Sequence, residues 1–435
     1  MKKISLLLMS MLPLIGLSQP YTSYFTGSAT DAIVSPTPPG GLCMMGGATE
    51  NDEAMKWFLE RAYGGDVLVI RASGADGYND YMYSGLGITV NSVETIVFNN
   101  ASAAFDSYVL DRISKAEAVW IAGGDQWDYV SYWRNTPVDS LINDGIANRG
   151  MSIGGTSAGM AILGSFYFTA ENGTISSSDA MMDPFHPNIT IDSASFIHAN
   201  YLQDVITDTH YDNPSRKGRH VVFLAHILEN YGVNAKGIGC EEYTAVCVDQ
   251  NGIARVFGDH PSYDDYAFFI QKNCVYDSIP AYPEVFQPGS PITWSYSSDI
   301  LKVYQVPGTS TGSNTFNLND WQTGSGGTWV DWAVEPNVFS EVFFTDPQDC
   351  VLNQEEQTID PFNIYPNPAT DEVRIDFGTV GDCLIELIDM KGKQIWRFET
   401  VSTQCTIDLS TIPSNVYQVK ITSDKGVANR RLVKN

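Results

Sequence analysis

The feature that most constrains this chain is a series of short, unbroken apolar runs, each closed by glycine or polar residues. Gly41-Leu42-Cys43-Met44-Met45 runs into Gly46-Gly47. Asp66-Val67-Leu68-Val69-Ile70, Thr95-Ile96-Val97-Phe98 and Ala118-Val119-Trp120-Ile121 stop in the same way. Apolar runs without polar alternation are the pattern of strands buried on both faces. Between the first two runs, Glu53 to Ala62 sets Ala54, Trp57, Phe58 and Ala62 at helical spacing. Strands of this kind alternating with helices predict an α/β fold, a mostly parallel sheet covered by helices. Ligands of such sheets bind outside the carboxyl ends of the strands. The loops after Ile70, Ile121 and Ile153 are therefore the expected place for a site.

The 435 residues exceed one ordinary domain. The start, MKKISLLLMSMLPLIGLSQP, has two lysines before an apolar stretch and reads as a secretory signal over residues 1–19. Its apolar run is short for a membrane span, and no later stretch is long and apolar enough for one. A main domain is expected over 20–348. A polar, aperiodic linker follows over 349–362. Residues 363–435 form a separate segment, with nine basic and nine acidic side chains, so the whole negative excess lies upstream. Its runs Val373–Phe377, Leu384–Ile388 and Tyr417–Ile421 alternate with period two, which predicts a small C-terminal antiparallel β-sandwich. Thr244–Val248 and Ile253–Phe257 flank an Asn251-Gly252 turn and read as a hairpin. Residues 285–345, with Trp294, Trp321, Trp329 and Trp332, read as short strands and loops finishing the main domain.

A net charge of −26 argues against a nucleic-acid partner, which requires basic patches. The seven cysteines include no C-x-x-C pair, so zinc and redox motifs are unsupported. In an oxidising compartment, Cys383 and Cys405 could bridge within the C-terminal segment.

Residues 154–160, GGTSAGM, contain the G-x-S-x-G sequence Gly155-Thr156-Ser157-Ala158-Gly159, straight after a short apolar run. A strand entering a sharp glycine turn and then a helix can hold a serine up as a nucleophile. It can also be only a tight turn. A nucleophilic serine needs a base. Of the six histidines, His210 is favoured by its place at the end of the apolar run Val205–Thr209. His220 and His226 fall on a helix expected over Arg219–Glu229. The acids between Ser157 and His210 are Glu171, Asp179, Asp183, Asp192, Asp204 and Asp208, and spacing does not choose among them.

Three motifs together resemble the cyanophycinase-like serine peptidases (family S51, dipeptidase E group): Gly123-Gly124-Asp125-Gln126, Gly154–Gly159, and Asp208-Thr209-His210-Tyr211 with Arg216 and Arg219. The resemblance spans roughly residues 40–260 and implies a sheet like that of class I glutamine amidotransferases. It implies Ser157 as nucleophile and His210 as general base. It places the triad acid in a serine-rich loop between them, best matched by Asp179 in Ser176–Ala180, with Glu171 second. Gly124 and Ala158 would supply the oxyanion hole. Gln126, Asp208, Arg216 and Arg219 would line the substrate pocket. No metal and no organic cofactor is implied. The chain departs from the pattern at Pro214, where the family has an arginine, and at Thr209, where it has glutamine. Hydrolysis of a peptide or isoaspartyl bond is therefore a safer expectation than cyanophycin itself. The tail, with Ile364-Tyr365-Pro366-Asn367-Pro368, Leu387–Lys393 and a terminal Lys434-Asn435, resembles the type IX secretion (Por) C-terminal sorting domain. That implies passage through the periplasm to the cell surface or medium and engagement of the type IX machinery. Two other readings are a non-catalytic binding protein on the same fold, which exposed tryptophans in 294–332 would favour, and an esterase.

Overall fold

A computed structural model describes residues 19–193, 196–277, 279, 281–346, 362–376, 383–389, 393–423 and 426–435. The expected signal segment up to Ser18 and nearly all of the expected linker lie outside the described residues. The chain divides into two compact units, Met1–Lys272 with Tyr282–Pro347, and Asn273–Ala281 with Gln348–Asn435.

In the larger unit the buried apolar runs are adjacent parallel strands. Their order across the sheet is Ser92–Phe98, Asp66–Arg71, Ala118–Ile121, Ser152–Thr156, Leu42–Met45. Tyr21–Gly27 closes one edge antiparallel, and on the other side the hairpin Ala245–Val248/Ile253–Phe257 continues the sheet. The period of two divides each apolar run between two cores. Leu42, Met44, Leu68 and Ile70 pack in one layer, whereas Cys43, Met45, Val67 and Val69 pack in the other. This is why these strands carry no polar alternation.

Helices cover the sheet, and their starts are written in the sequence. Asn51 caps Asp52–Glu60 and Asp106 caps Ser107–Lys115, each accepting a backbone N–H. Asp125 of the Gly-Gly-Asp-Gln motif caps Gln126–Trp133 in the same way. A second sheet pairs Val205–Asp208 parallel with Lys236–Cys240 and continues antiparallel through Tyr266–Lys272, Leu301–Pro307, Thr328–Glu335 and Val338–Phe343. The 285–345 stretch thus supplies strands that finish this unit. Its tryptophans are core rather than surface: Trp294, Trp321, Trp329 and Trp332 are 2, 3, 7 and 0% exposed. The feature that would have favoured a binding module is absent.

In the smaller unit two antiparallel sheets of three and four strands enclose Val373, Ile375, Ile385, Leu387, Ile407, Val419 and Ile421. Their partition is that of a β-sandwich. Cys383 lies on the strand Cys383–Asp389 of the four-stranded sheet and Cys405 on Gln404–Asp408 of the three-stranded one.

Candidate active site

Ser157 lies where the strand Ser152–Thr156 turns into the short helix Ala158–Ala161, with φ +52° and ψ −118°. A non-glycine residue in this region costs on the order of 1–3 kcal/mol and persists only where its surroundings fix it. The motif glycines serve the fit around it. A Cβ on Gly159 would lie 2.1 Å from Ile121 O, and one on Gly155 would lie 2.6 Å from Gly159 C. The turn and the raised serine are thus one device, and the serine is turned toward an imidazole. Ser157 Oγ is 2.7 Å from His210 Nε2.

His210 follows Val205–Asp208 and also has positive φ, +48°. Its other nitrogen, Nδ1, is 2.6 Å from Glu242 Oε1. A carboxylate only accepts, so Nδ1 carries the proton and Nε2 is free to accept from the serine hydroxyl. Burial raises the Glu242 pKa, but hydrogen bonds from His210 and Asn213 and the nearby charges of His210 and Arg216 outweigh it, and the net shift is downward. The loop after His210 holds this carboxylate in place. Asp212 Oδ1 accepts the Glu242 N–H at 2.9 Å, and Asn213 Nδ2 donates to Oε2 at 3.3 Å.

The carboxylate behind the imidazole is therefore neither Asp179 nor Glu171. Both are exposed. Asp179 accepts from Ser176 Oγ at 2.7 Å while Ser176 Oγ accepts the Asp179 N–H, so the serine-rich loop is a helix cap for Ser177–Met182. Glu242 lies beyond His210 in the chain, outside the Ser157–His210 span in which the resemblance places the acid. Lys236–Cys240 pairs parallel with the strand that ends before His210, so the residues following both emerge on the same side.

The other expected site residues are divided. Asp208 and Arg219 are each 2% exposed and form a bidentate pair, Nε to Oδ2 at 2.8 Å and Nη2 to Oδ1 at 2.5 Å. Burial raises the Asp208 pKa, but Arg219 more than offsets this and the net shift is downward. Arg219 also donates to Ile175 O and Thr174 Oγ1. The pair is a buried tie between the strand Val205–Asp208 and the 174–175 loop, with no surface for a ligand. Arg216 remains half-buried and donates to Thr209 O at 2.9 Å; burial, then Arg219, lowers its pKa to about 10, which leaves it charged at neutral pH. Gln126 opens its helix and donates to Phe168 O at 3.3 Å. Ala158 is the first residue of the helix after Ser157, where a backbone N–H has no intrahelical acceptor. Gly123 lies against Ser157, a Cβ there being 3.6 Å from the serine Cβ, and Gly124 follows it.

One short loop joins all of these parts. Met45 O accepts the Ser157 N–H at 3.1 Å, and Gly46 O accepts the His210 N–H at 2.8 Å. Gly46 N–H donates to Thr244 O at 2.9 Å, and Gly47 O accepts the Tyr243 N–H at 3.1 Å. Gly47, at φ +122°, lies under the imidazole, where a Cβ would be 2.4 Å from His210 Cε1 and 2.5 Å from Nε2. Gly47→Ala is therefore expected to push the ring off the serine and lower kcat by roughly 10²- to 10³-fold. Steady-state kinetics alongside a thermal melt checks this; an unchanged kcat in a folded variant would contradict it.

Beside Glu242, Glu241 is buried and accepts the Tyr266 N–H at 2.8 Å. Burial, with Asp212 and Asp264 nearby, pushes its pKa up to about 8 against the opposing pull of that N–H and Lys217. The folded chain thus keeps a proton that the unfolded chain releases near pH 4.5, so stability falls as pH rises from about 4.5 to about 8, at most about 1.4 kcal/mol per unit. Thermal midpoints measured across this window are expected to fall more steeply for the native chain than for Glu241→Gln. Parallel curves would contradict the assignment.

With this geometry in place the chain can be set beside known proteins. Residues 72–256 match the profile described as Peptidase family S51, and residues 363–435 match the Secretion system C-terminal sorting domain. Over residues 72–256 the chain is thus similar to peptidase family S51. A cyanophycinase from Synechococcus elongatus is 26% identical over 228 residues, 50% of this chain and 66% of the relative. A cyanophycinase from Trichormus variabilis is 25% identical over 166 residues, 38% of this chain and 50% of the relative. The chain thus spans between half and two thirds of the length of these curated relatives. A solved structure of a peptidase from an acI-B1 Actinobacterium aligns with 51% of this chain and 89% of its own, at 15% identity and a TM-score of 0.37. The sorting domain marks this chain for type IX secretion, to the cell surface or the medium. Among the described residues no helix is long and apolar enough to cross a membrane, and no group of three or more His, Cys, Asp or Glu side chains could hold a metal.

Proposed function

We propose that the chain is a secreted serine peptidase, exported by its N-terminal signal, in which Ser157 is the nucleophile, His210 the general base and Glu242 the orienting acid. The observation that carries this reading is the unbroken relay from Ser157 Oγ through the imidazole to Glu242, with contacts of 2.7 and 2.6 Å. His210 Nε2 takes the hydroxyl proton as Oγ attacks the scissile carbonyl. The N–H groups of Ala158 and Gly124 receive the oxyanion that forms. The imidazolium then protonates the leaving amine, and water, activated by the same nitrogen, releases the acyl group. Glu242 stays ionised throughout, since its pKa is held below the usual carboxylate value.

For the substrate, the relatives named cyanophycinase and the part-exposed, charged Arg216 support a peptide or isoaspartyl bond carrying a carboxylate near the scissile carbonyl. With Asp208 and Arg219 closed on each other, Arg216 and Gln126 are the polar residues left to read it. A panel of cyanophycin, β-aspartyl dipeptides, α-aspartyl dipeptides and a short-chain ester tests this. Turnover of the β-aspartyl compounds is expected to exceed that of the α-aspartyl ones. Ester turnover alone would favour an esterase, and no turnover by folded protein would favour a binding role.

A further inference from the structure

We propose that Cys43 and Cys247 are joined by a disulfide in the exported protein. The two residues face each other directly across the antiparallel pair Leu42–Met45/Ala245–Val248. Both stand as thiols in this structure, with their Sγ atoms 3.6 Å apart and both side chains fully buried. Directly opposed residues of antiparallel strands have Cα atoms about 4.5–5.5 Å apart, inside the range of about 4.4–6.8 Å that a disulfide spans. A small side-chain rotation closes the remaining gap between the sulfurs. The third buried thiol of this unit, Cys240, packs in the opposite core layer and does not compete.

Two further observations point to oxidation. The chain is marked for secretion, and secreted proteins form and keep disulfides. Cys274 is already disulfide-bonded, so the fold includes a bond that requires an oxidising compartment. The oxidant is a thiol-exchange disulfide of that compartment. The thiolate of one cysteine attacks it to form a mixed disulfide, and the second thiolate displaces it. One S–S bond forms in the chain, two S–H bonds are lost, and the oxidant leaves as a dithiol carrying both hydrogens. Because both sulfurs are buried in the closed sheet, the exchange takes place before the hairpin docks, and afterwards the bond is shielded from reductants.

The bond would hold the strand that leads into Met45-Gly46-Gly47 against the strand that leads out of Glu242 and Thr244. It would thus brace the loop that carries the backbone contacts of the site, across 204 positions of sequence. The test is peptide mapping of the full exported chain, acid-quenched and alkylated in denaturant so that burial protects no thiol, with and without prior reduction. The expected result is one cross-linked peptide pair containing Cys43 and Cys247, lighter by two hydrogens, with neither alkylated until reduction. Recovery of both as alkylated cysteines without reduction, or of Cys43 linked to Cys240, would overturn the proposal.

Discussion

Ser157→Ala is expected to lower kcat/KM for the preferred peptide by roughly 10⁴- to 10⁶-fold, with KM little changed. The reason is chemical rather than structural. The alanine keeps the backbone, and the Met45 carbonyl still accepts the residue-157 N–H. What is lost is the hydroxyl oxygen placed 2.7 Å from His210 Nε2 and able to attack a carbonyl. The thermal midpoint is expected to stay close to that of the native chain, which separates a missing nucleophile from a missing fold. A folded variant that retains more than a few per cent of activity would mean that water, not the serine, attacks.

Glu242→Gln is expected to lower kcat roughly 10³- to 10⁴-fold, whereas Asp179→Asn changes it by less than about twofold. An amide at position 242 can present its N–H₂ to His210 Nδ1. The imidazole then takes the other tautomer, with its proton on Nε2, and no longer accepts from Ser157. The charge that steadies the imidazolium is lost as well. Asp179 is engaged in capping its own helix through Ser176, so its amide variant should at most alter local stability. The reverse pattern, an inactive Asp179→Asn and an active Glu242→Gln, would return the acid to the serine-rich loop.

The pattern of what could be read from the sequence follows from range. The parallel strands were legible because burial on both faces removes polar alternation, and each run is local. The turn at Ser157 was legible because the glycines of its motif lie within two positions of it. His210 was legible as the end of an apolar run. Glu242 was not, since its role depends on which strand lies beside Val205–Asp208, a pairing no local pattern encodes. The tryptophans of 294–332 misled for a related reason. Composition shows that they are aromatic, but only the antiparallel pairing of Leu301–Pro307 with Thr328–Glu335 puts Trp329 and Trp332 inside. Asp208 and Arg219 lie 11 positions apart, and whether they face a ligand or each other is decided by the packing of one helix on one strand. The clamp at Met45–Gly47 gathers contacts from residues more than a hundred positions away, and only the fold brings them together.

The most direct test of the central claim is covalent capture of the nucleophile. The full chain is treated with an organophosphonate that transfers only to an activated hydroxyl, and the modified peptide is located by mass spectrometry. The expected result is one phosphonyl group on Ser157, with labelling abolished in Ser157→Ala and strongly slowed in Glu242→Gln. Labelling at another residue, or none on folded protein that still hydrolyses peptides, would contradict the assignment of Ser157, His210 and Glu242 as a catalytic relay.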